Sequence, residues 1–424
     1  MSFNATRSIL TITILTMVSS ASFADDFYEQ DGALRLRLRN ELRRADKPSA
    51  APNNDIYAWV QGVALEYNSP YAWEHAGIDV GFFRTQRLAT HDDWSTRWYL
   101  DGQDSFNLYT AAIKVKVADN LKLRIGRMVT DSAYSGQDDI PLINSSSQRT
   151  QPTMSDAALV KYSATSNLDI YGMYRFGVYY YPDVSEGVHK AGPINPNTYE
   201  YDTLRPQYLT SAVYRNGLDT YALTLSWQND VAAQAMTRIS QRYAVGKDNR
   251  HYFKPEFVAL YAKLNGTSAS YEGADETYVL GGRFNYVSDK GCAFLAIGKT
   301  GGKLYRLSGV DTDVSYTYDL SIDRNYNNMW SWQAGYLWQL PNDMQIGVSQ
   351  LFTNGYEDYK NDVRVKGTAT GVLAGYNPKS GPLKGFRSTV IISSAREDRQ
   401  GSRLGNHLDY YDVKLNFQYD LNLF

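Results

Sequence analysis

Apolar and polar residues alternate one for one along much of this chain. In the stretch Val413-Lys414-Leu415-Asn416-Phe417-Gln418-Tyr419-Asp420-Leu421, apolar or aromatic residues take every second place and polar residues fill the gaps. Leu34, Leu36 and Leu38 interleave in the same way with Arg35, Arg37 and Arg39, and Tyr221, Leu223, Leu225 and Trp227 with Ala222, Thr224 and Ser226. A period of two is that of a β-strand, whose successive side chains point to opposite faces. Such strands are predicted at 32–44, 54–69, 76–88, 105–117, 119–128, 155–164, 166–180, 207–216 and 218–228. They continue at 235–245, 252–264, 276–287, 290–299, 328–340, 342–353, 362–376, 384–395 and 407–424. That makes about eighteen, an even number, as single-chain bacterial outer-membrane barrels have.

The connections fall in phase with this reading. Ala118-Asp119-Asn120, Ala164-Thr165-Ser166-Asn167, Asn216-Gly217-Leu218-Asp219, Ser288-Asp289-Lys290-Gly291 and Pro341-Asn342-Asp343 have turn chemistry, and each follows an even-numbered strand. The long connections 129–154, 181–206 and 300–327 follow odd-numbered strands. A transmembrane barrel with both termini in the periplasm must alternate like this, with short turns at one mouth and long loops at the other. A soluble sandwich has no reason to. The fold class expected is therefore all-β: a transmembrane antiparallel barrel, one greasy face toward lipid and one wet face toward a lumen.

The two ends of the sequence fit export to an outer membrane. Met1 to Ala24 reads as a signal peptide, with Arg7 as the charged start, Ile9 to Val18 as the apolar run and Ser22-Phe23-Ala24 as the cleavage site. The barrel domain is then 25–424. The last strand carries its alternation to Phe424, and a terminal aromatic of this kind resembles the assembly signal of outer-membrane proteins.

Composition sharpens the picture in three ways. The chain holds 35 Tyr and 8 Trp, amphipathic rings that suit the boundary between a barrel wall and lipid headgroups. Its 43 Lys and Arg against 45 Asp and Glu give a formal net charge of −2, which offers no case for nucleic-acid binding. The lone Cys292 can form no disulfide within the chain and reads as a small wall residue.

A passive pore needs a lining and a constriction rather than catalytic residues. The alternation puts cations on the polar face, among them Arg35, Arg37, Arg39, Lys114, Arg124, Arg175 and Arg283. Lining charge sets ion selectivity, so this face is expected to favour anionic solutes. The polar connection after the fifth strand is the candidate to fold into the lumen, as a third loop carrying Asp138, Asp139 and Arg149. Those two carboxylates read as a salt bridge to Arg149 or as pore lining. No catalytic set and no metal ligands are assigned, because His75, His91, His189, His251 and His407 show no ligand spacing. Gly298-Lys299-Thr300-Gly301-Gly302-Lys303 lacks the spacing of a phosphate loop and reads as the end of a strand. No cofactor is expected.

Several strings carry a resemblance. They are Leu34 to Ala50, Asp55 to Gly62, Ser95 to Gly102, Ser146 to Thr150, Asp362 to Arg364 and Leu408 to Lys414. Together, and in order, they resemble the OprD-type family of substrate-selective outer-membrane porins, in an enterobacterial branch tied to glucuronide uptake. The resemblance implies an eighteen-stranded barrel with an inward third loop. It also implies an arginine ladder for carboxylate-bearing solutes, here Arg35, Arg37 and Arg39, with Arg124 and Arg149 near the constriction. Expected partners are outer-membrane lipid and lipopolysaccharide, the barrel-assembly machinery and small anionic sugars; a homotrimer is left open. Two other classes stay open beside the porin: a barrel enzyme, which needs a catalytic set at one rim, and a receptor or adhesin barrel with a plugged lumen.

Overall fold

The computed structural model describes residues 32–46, 55–90, 105–129, 154–179, 205–246, 250–267, 269, 275–302, 315–322, 326–357, 362–401 and 407–424. The expected signal peptide, the connection holding Asp138, Asp139 and Arg149, and the connection 181–204 lie outside these residues.

The described residues form nineteen strands. The first eleven are β1 (Ala33–Asp46), β2 (Ile56–Asn68), β3 (Ala76–Thr90), β4 (Ser105–Ala118), β5 (Leu121–Val129), β6 (Met154–Thr165), β7 (Leu168–Tyr179), β8 (Gln207–Asn216), β9 (Asp219–Gln228), β10 (Ala232–Ser240) and the short β11 (Tyr243–Val245). The rest are β12 (His251–Leu264), β13 (Glu276–Ser288), β14 (Gly291–Gly301), β15 (Asn327–Gln339), β16 (Met344–Tyr356), β17 (Arg364–Tyr376), β18 (Phe386–Gln400) and β19 (His407–Asn422). Strands consecutive in sequence pair antiparallel, β10 and β11 excepted. β10 and β11 both pair with β12, so they are two pieces of one place in the wall. The wall thus has the eighteen places that the alternation predicts. β1 pairs with β19 from Arg35 opposite Asn422 to Asp46 opposite Tyr411, which closes the sheet into a barrel. Closure leaves no row of unpaired backbone groups, the condition for a sheet to stand in hydrocarbon.

The two faces separate as alternation requires, with the usual order of a soluble protein inverted. On β9, Leu223, Leu225 and Trp227 are 50, 48 and 48% exposed, while Ala222, Thr224 and Ser226 between them are buried. Exposed aromatics such as Trp59, Trp330, Trp332 and Trp338 stand on the outer face, and Trp332 stacks on Phe352 at 4.3 Å. A surface this apolar is stable only against lipid.

One mouth is made of tight turns. Asn342 and Asp343 adopt left-handed backbone between β15 and β16, and Gly217 does so between β8 and β9. Thr165 Oγ1 accepts the Asn167 and Leu168 amides at 3.2 and 3.1 Å between β6 and β7. Gly291 opens β14 at φ +147°, where a Cβ would lie 2.0 Å from the Leu337 carbonyl oxygen, so only glycine fits.

The opposite mouth departs from the expected phase at one place. β10 starts at Ala232 rather than at 235, so β9 and β10 join through the tight turn 229–231. Asp230 takes left-handed backbone there and Arg205 bonds its carboxylate at 2.9 Å. The early start hides in the sequence because Ala232, Ala233 and Ala235 put small residues on both faces and leave no contrast to read. On β7, Phe176 is exposed but Val178, two positions on, is buried, beyond a shift in register between β6 and β7.

Candidate functional site

The inner face of β1 presents Arg35, Arg37, Arg39, Glu41 and Arg43, all buried. An acid lies beside each arginine. Arg35 stands opposite Glu66 on β2, with Nε 2.5 Å from Oε2. Arg37 stands opposite Asp420 on β19, at 2.8 Å. Arg39 lies 3.7 Å from Glu41, and Arg43 Nε donates to Asp412 at 2.9 Å. Arg387 on β18 shares Asp420, and Lys414 on β19 reaches Glu41 at 3.1 Å.

The same logic continues around the wall. Lys114 on β4 and Arg124 on β5 stand directly opposite each other, an unfavourable pairing of like charges unless an anion offsets it. Asp79 on β3 is that anion, 3.7 Å from Lys114 and 2.8 Å from Arg124. Lys114 also donates to Asn68. One charged band therefore runs from β18 across the β19–β1 seam to β5. It brings together Arg35, Arg37, Arg39, Lys114 and Arg124. Arg175 on β7 and Arg283 on β13 are also inward and buried but stand apart from it; Arg283 Nε donates to Glu256 at 3.0 Å, beside Lys254.

Paired charges partly cancel, so the surplus matters more than the number of arginines. Among the described residues, twelve buried side chains are Lys or Arg and seven are Asp or Glu. The interior is cationic although the whole chain is slightly acidic.

The lumen also holds a segment that the alternation should have revealed. Within the connection from β14 to β15, Tyr316, Tyr318, Leu320 and Ile322 alternate with Ser315, Thr317, Asp319 and Ser321. It reads as a short strand, yet it sits in a long loop and has no wall position. Residues 315–322 lie against the inner wall, held by side chains in place of a β-ladder. Gln333 on β15 acts as a surrogate peptide: its Oε1 accepts the Tyr318 amide and its Nε2 donates to the Tyr318 carbonyl, both at 2.9 Å. Ser393 on β18 donates to Asp319 at 2.8 Å, Thr317 and Ser331 share a bond of 2.8 Å, and Arg43 donates to the Leu320 carbonyl at 3.1 Å. Tyr316 receives Arg283 over its ring at 5.3 Å. Gly298 beneath permits the approach, since a Cβ there would lie 2.7 Å from Ser331 Oγ and 3.3 Å from Ser315 Oγ.

This strap takes up part of the lumen's cross-section. Replacing Gln333 with Leu removes both bonds to Tyr318, each worth about 1 kcal/mol net. Entry of a neutral disaccharide into proteoliposomes should then rise several-fold. An unchanged swelling rate would place the narrowest point away from residues 315–322.

Comparison with known proteins gives one relative over the full length. The chain is 38% identical over 414 residues to the membrane-associated protein UidC of Escherichia coli, covering 96% of each. No family model matches the chain. Among solved structures, Pseudomonas aeruginosa OccK2 (OpdF), determined with glucuronate, superposes with a TM-score of 0.72 at 16% identity, over 93% of this chain and 99% of that one. P. aeruginosa OccK9 (OpdG) superposes with a TM-score of 0.75 at 17% identity, over 93 and 100%. P. aeruginosa OpdK, determined with vanillate, gives 0.72 at 18% identity, over 92 and 99%. At such identities these likenesses speak for the fold.

Proposed function

The chain belongs to the family of E. coli UidC and is an outer-membrane β-barrel of the OprD-type porin fold, and from that premise we propose that it is a passive pore for small anionic sugar solutes, glucuronides or related sugar acids. Solute would enter at the mouth of long connections and leave through the mouth of tight turns into the periplasm.

The observation that carries this reading is the surplus of cations among the buried side chains of the described residues, most of them in the band from β18 to β5. Arginine suits the task because its planar fork meets both oxygens of a carboxylate at once. The pairing of these arginines with Glu66, Asp420, Glu41 and Asp412 suits it as well. Each cation already has a partner, so a passing carboxylate exchanges with an anion in place and is released again. Conduction requires that kind of weak, repeated site rather than one deep one. A complex of OccK2 with glucuronate is consistent with this solute class, at the distance that 16% identity allows.

The test is electrical. In a planar bilayer with a salt gradient, the reversal potential should show anion preference, and millimolar glucuronate should reduce the chloride current more than glucose does. A cation-preferring pore, or equal effects of the two sugars, would overturn the assignment.

A further inference from the structure

On the outer face of β14 to β19, strand register lines up one unbroken rung: Lys299, Trp330, Asn354, Lys366, Asp398 and His407, each directly opposite the next. All six are at least partly exposed. Lys299 and Lys366 lie two residues from the ends of their strands, at the mouth of long connections, and Arg364 is the first residue of β17. The next outward rung toward the middle of the wall holds Ile297, Trp332 and Phe352. Cations thus stand at the edge of an aromatic, lipid-facing wall.

The acids nearby are already engaged. Asp398 faces Lys366 in the register, but its carboxylate lies 2.5 Å from His407 Nδ1. Arg396, one rung in, and Asp409 meet each other at 2.8 Å. Arg364 donates through Nε to Asn354 at 3.3 Å, and Lys366 makes no hydrogen bond or ion pair with the described residues. Lys299 donates to the Asn328 carbonyl at 3.0 Å, and its Nζ lies 5.0 Å from the centre of the Trp330 ring. Among the described residues, no acid neutralises any of these three cations.

We propose that this patch binds the phosphorylated headgroup of one lipopolysaccharide molecule of the outer leaflet. The lipid end of lipopolysaccharide is an acylated disaccharide with a phosphate at either end. Arg364 and Lys366 are two residues apart on one strand, about 7 Å, and grip the first phosphate, the guanidinium through two oxygens at once. Lys299 is three strands away on the same rung as Lys366, about 14 Å, and meets the second phosphate. That separation is of the order of a disaccharide. Trp330, Trp332 and Phe352 face the acyl chains beside it. Basic side chains at a membrane surface are drawn to anionic headgroups in general, but a phospholipid carries a single phosphate and would leave one end of the patch unmet. Free phosphate would meet one end and gain nothing from the rings.

The experiment uses the full-length protein from outer membranes, exchanged into mild detergent, with bound lipopolysaccharide read by mass spectrometry of the intact barrel. The wild type should keep lipopolysaccharide through the exchange. Arg364→Gln/Lys366→Gln should keep several-fold less while remaining folded and heat-modifiable. Lys384→Gln, exposed at the mouth of tight turns, should behave as the wild type. A second measurement needs no variant: on stripped wild-type protein, lipid A with two phosphates should bind several-fold more tightly than lipid A with one, and neither phosphatidylglycerol nor inorganic phosphate should displace it. A wild type that keeps no lipopolysaccharide, or a folded double variant that keeps as much as the wild type, would overturn the proposal. Equal binding of the two forms of lipid A would do so too. Displacement by phosphatidylglycerol or by inorganic phosphate would also overturn it, since the patch would then attract anions without regard to source.

Discussion

Replacing Arg35, Arg37 and Arg39 together with glutamine is expected to reverse the ion preference of the pore. The change does more than remove three cations. It leaves Glu66, Asp420 and Glu41 on the same stretch of wall, with Arg387 and Lys414 as their remaining partners. Cationic side chains facing the lumen at the level of β1 give way to a site with acids in excess. Charge-assisted contacts of the guanidinium–carboxylate kind are worth about 1.5–3 kcal/mol each. Losing one such contact where a solute is most confined corresponds to about tenfold or more in rate. Liposome swelling with glucuronate should fall by that order, while swelling with a neutral sugar of equal size should change less than twofold. The reversal potential in a salt gradient should move toward the cation value. If both solutes slow equally, the three arginines hold the wall and do not meet solute. A paired variant, Arg37→Gln with Asp420→Asn, keeps the local sum of charge and should shift the reversal potential far less.

The second large effect is expected at the seam. Asp412 on β19 is buried and holds Arg43 on β1, which also donates to the strap through the Leu320 carbonyl. Asp412→Arg would face Arg43 with a like charge next to Lys414. Breaking a buried pair by altering one partner costs about 3–5 kcal/mol, and the like charge adds to that. The cost falls on the pairing that closes the barrel, so folded, heat-modifiable protein in the outer membrane should drop severalfold. The exchange Arg43→Asp with Asp412→Arg restores opposite charges and should recover most of it. Failure of the exchange to recover any folded barrel would mean that the Arg43 link to Leu320 matters more than the seam pair.

How much of this was legible in the sequence depends on which feature is asked for. Alternation in β1, β9 and β19 announced strands with unlike faces, and the phase of turns and long connections announced a barrel. The inward facing of Arg35, Arg37 and Arg39 followed from Leu34, Leu36 and Leu38 taking the other side. Their acidic partners could not be read in advance. Which acid faces Arg37 depends on the register between β1 and β19, set by contacts hundreds of positions apart. The strap is hidden for a different reason. Tyr316 to Ile322 alternates like a wall strand, but nothing in its composition tells that its edges are met by Gln333 and Ser393 side chains. At β10 the alanines erase the contrast between faces, and the alternation becomes legible only three residues after the strand starts. Asp138, Asp139 and Arg149 lie outside the described residues, so their place at a constriction stays a sequence expectation.

The seam also fixes the order of events as the barrel is made. Arg37 and Asp420, which meet across it, are 383 residues apart in sequence. Bringing the ends of so long a chain together costs about 5 kcal/mol in loop entropy if nothing has formed between them, by the (3/2)RT ln n rule. That cost shrinks as consecutive hairpins zip up, because each one shortens the effective loop. Closure is therefore the last step, and it has to wait until β19 has been synthesised and exported. Until then, β1 and the newest strand are two open edges that could pair with other chains. The arginines of β1 are like charges on a waiting edge, and they disfavour pairing with a second β1. They are neutralised when Asp412 and Asp420 arrive. The same side chains that line the finished lumen would thus guard the unfinished barrel against joining the wrong strand.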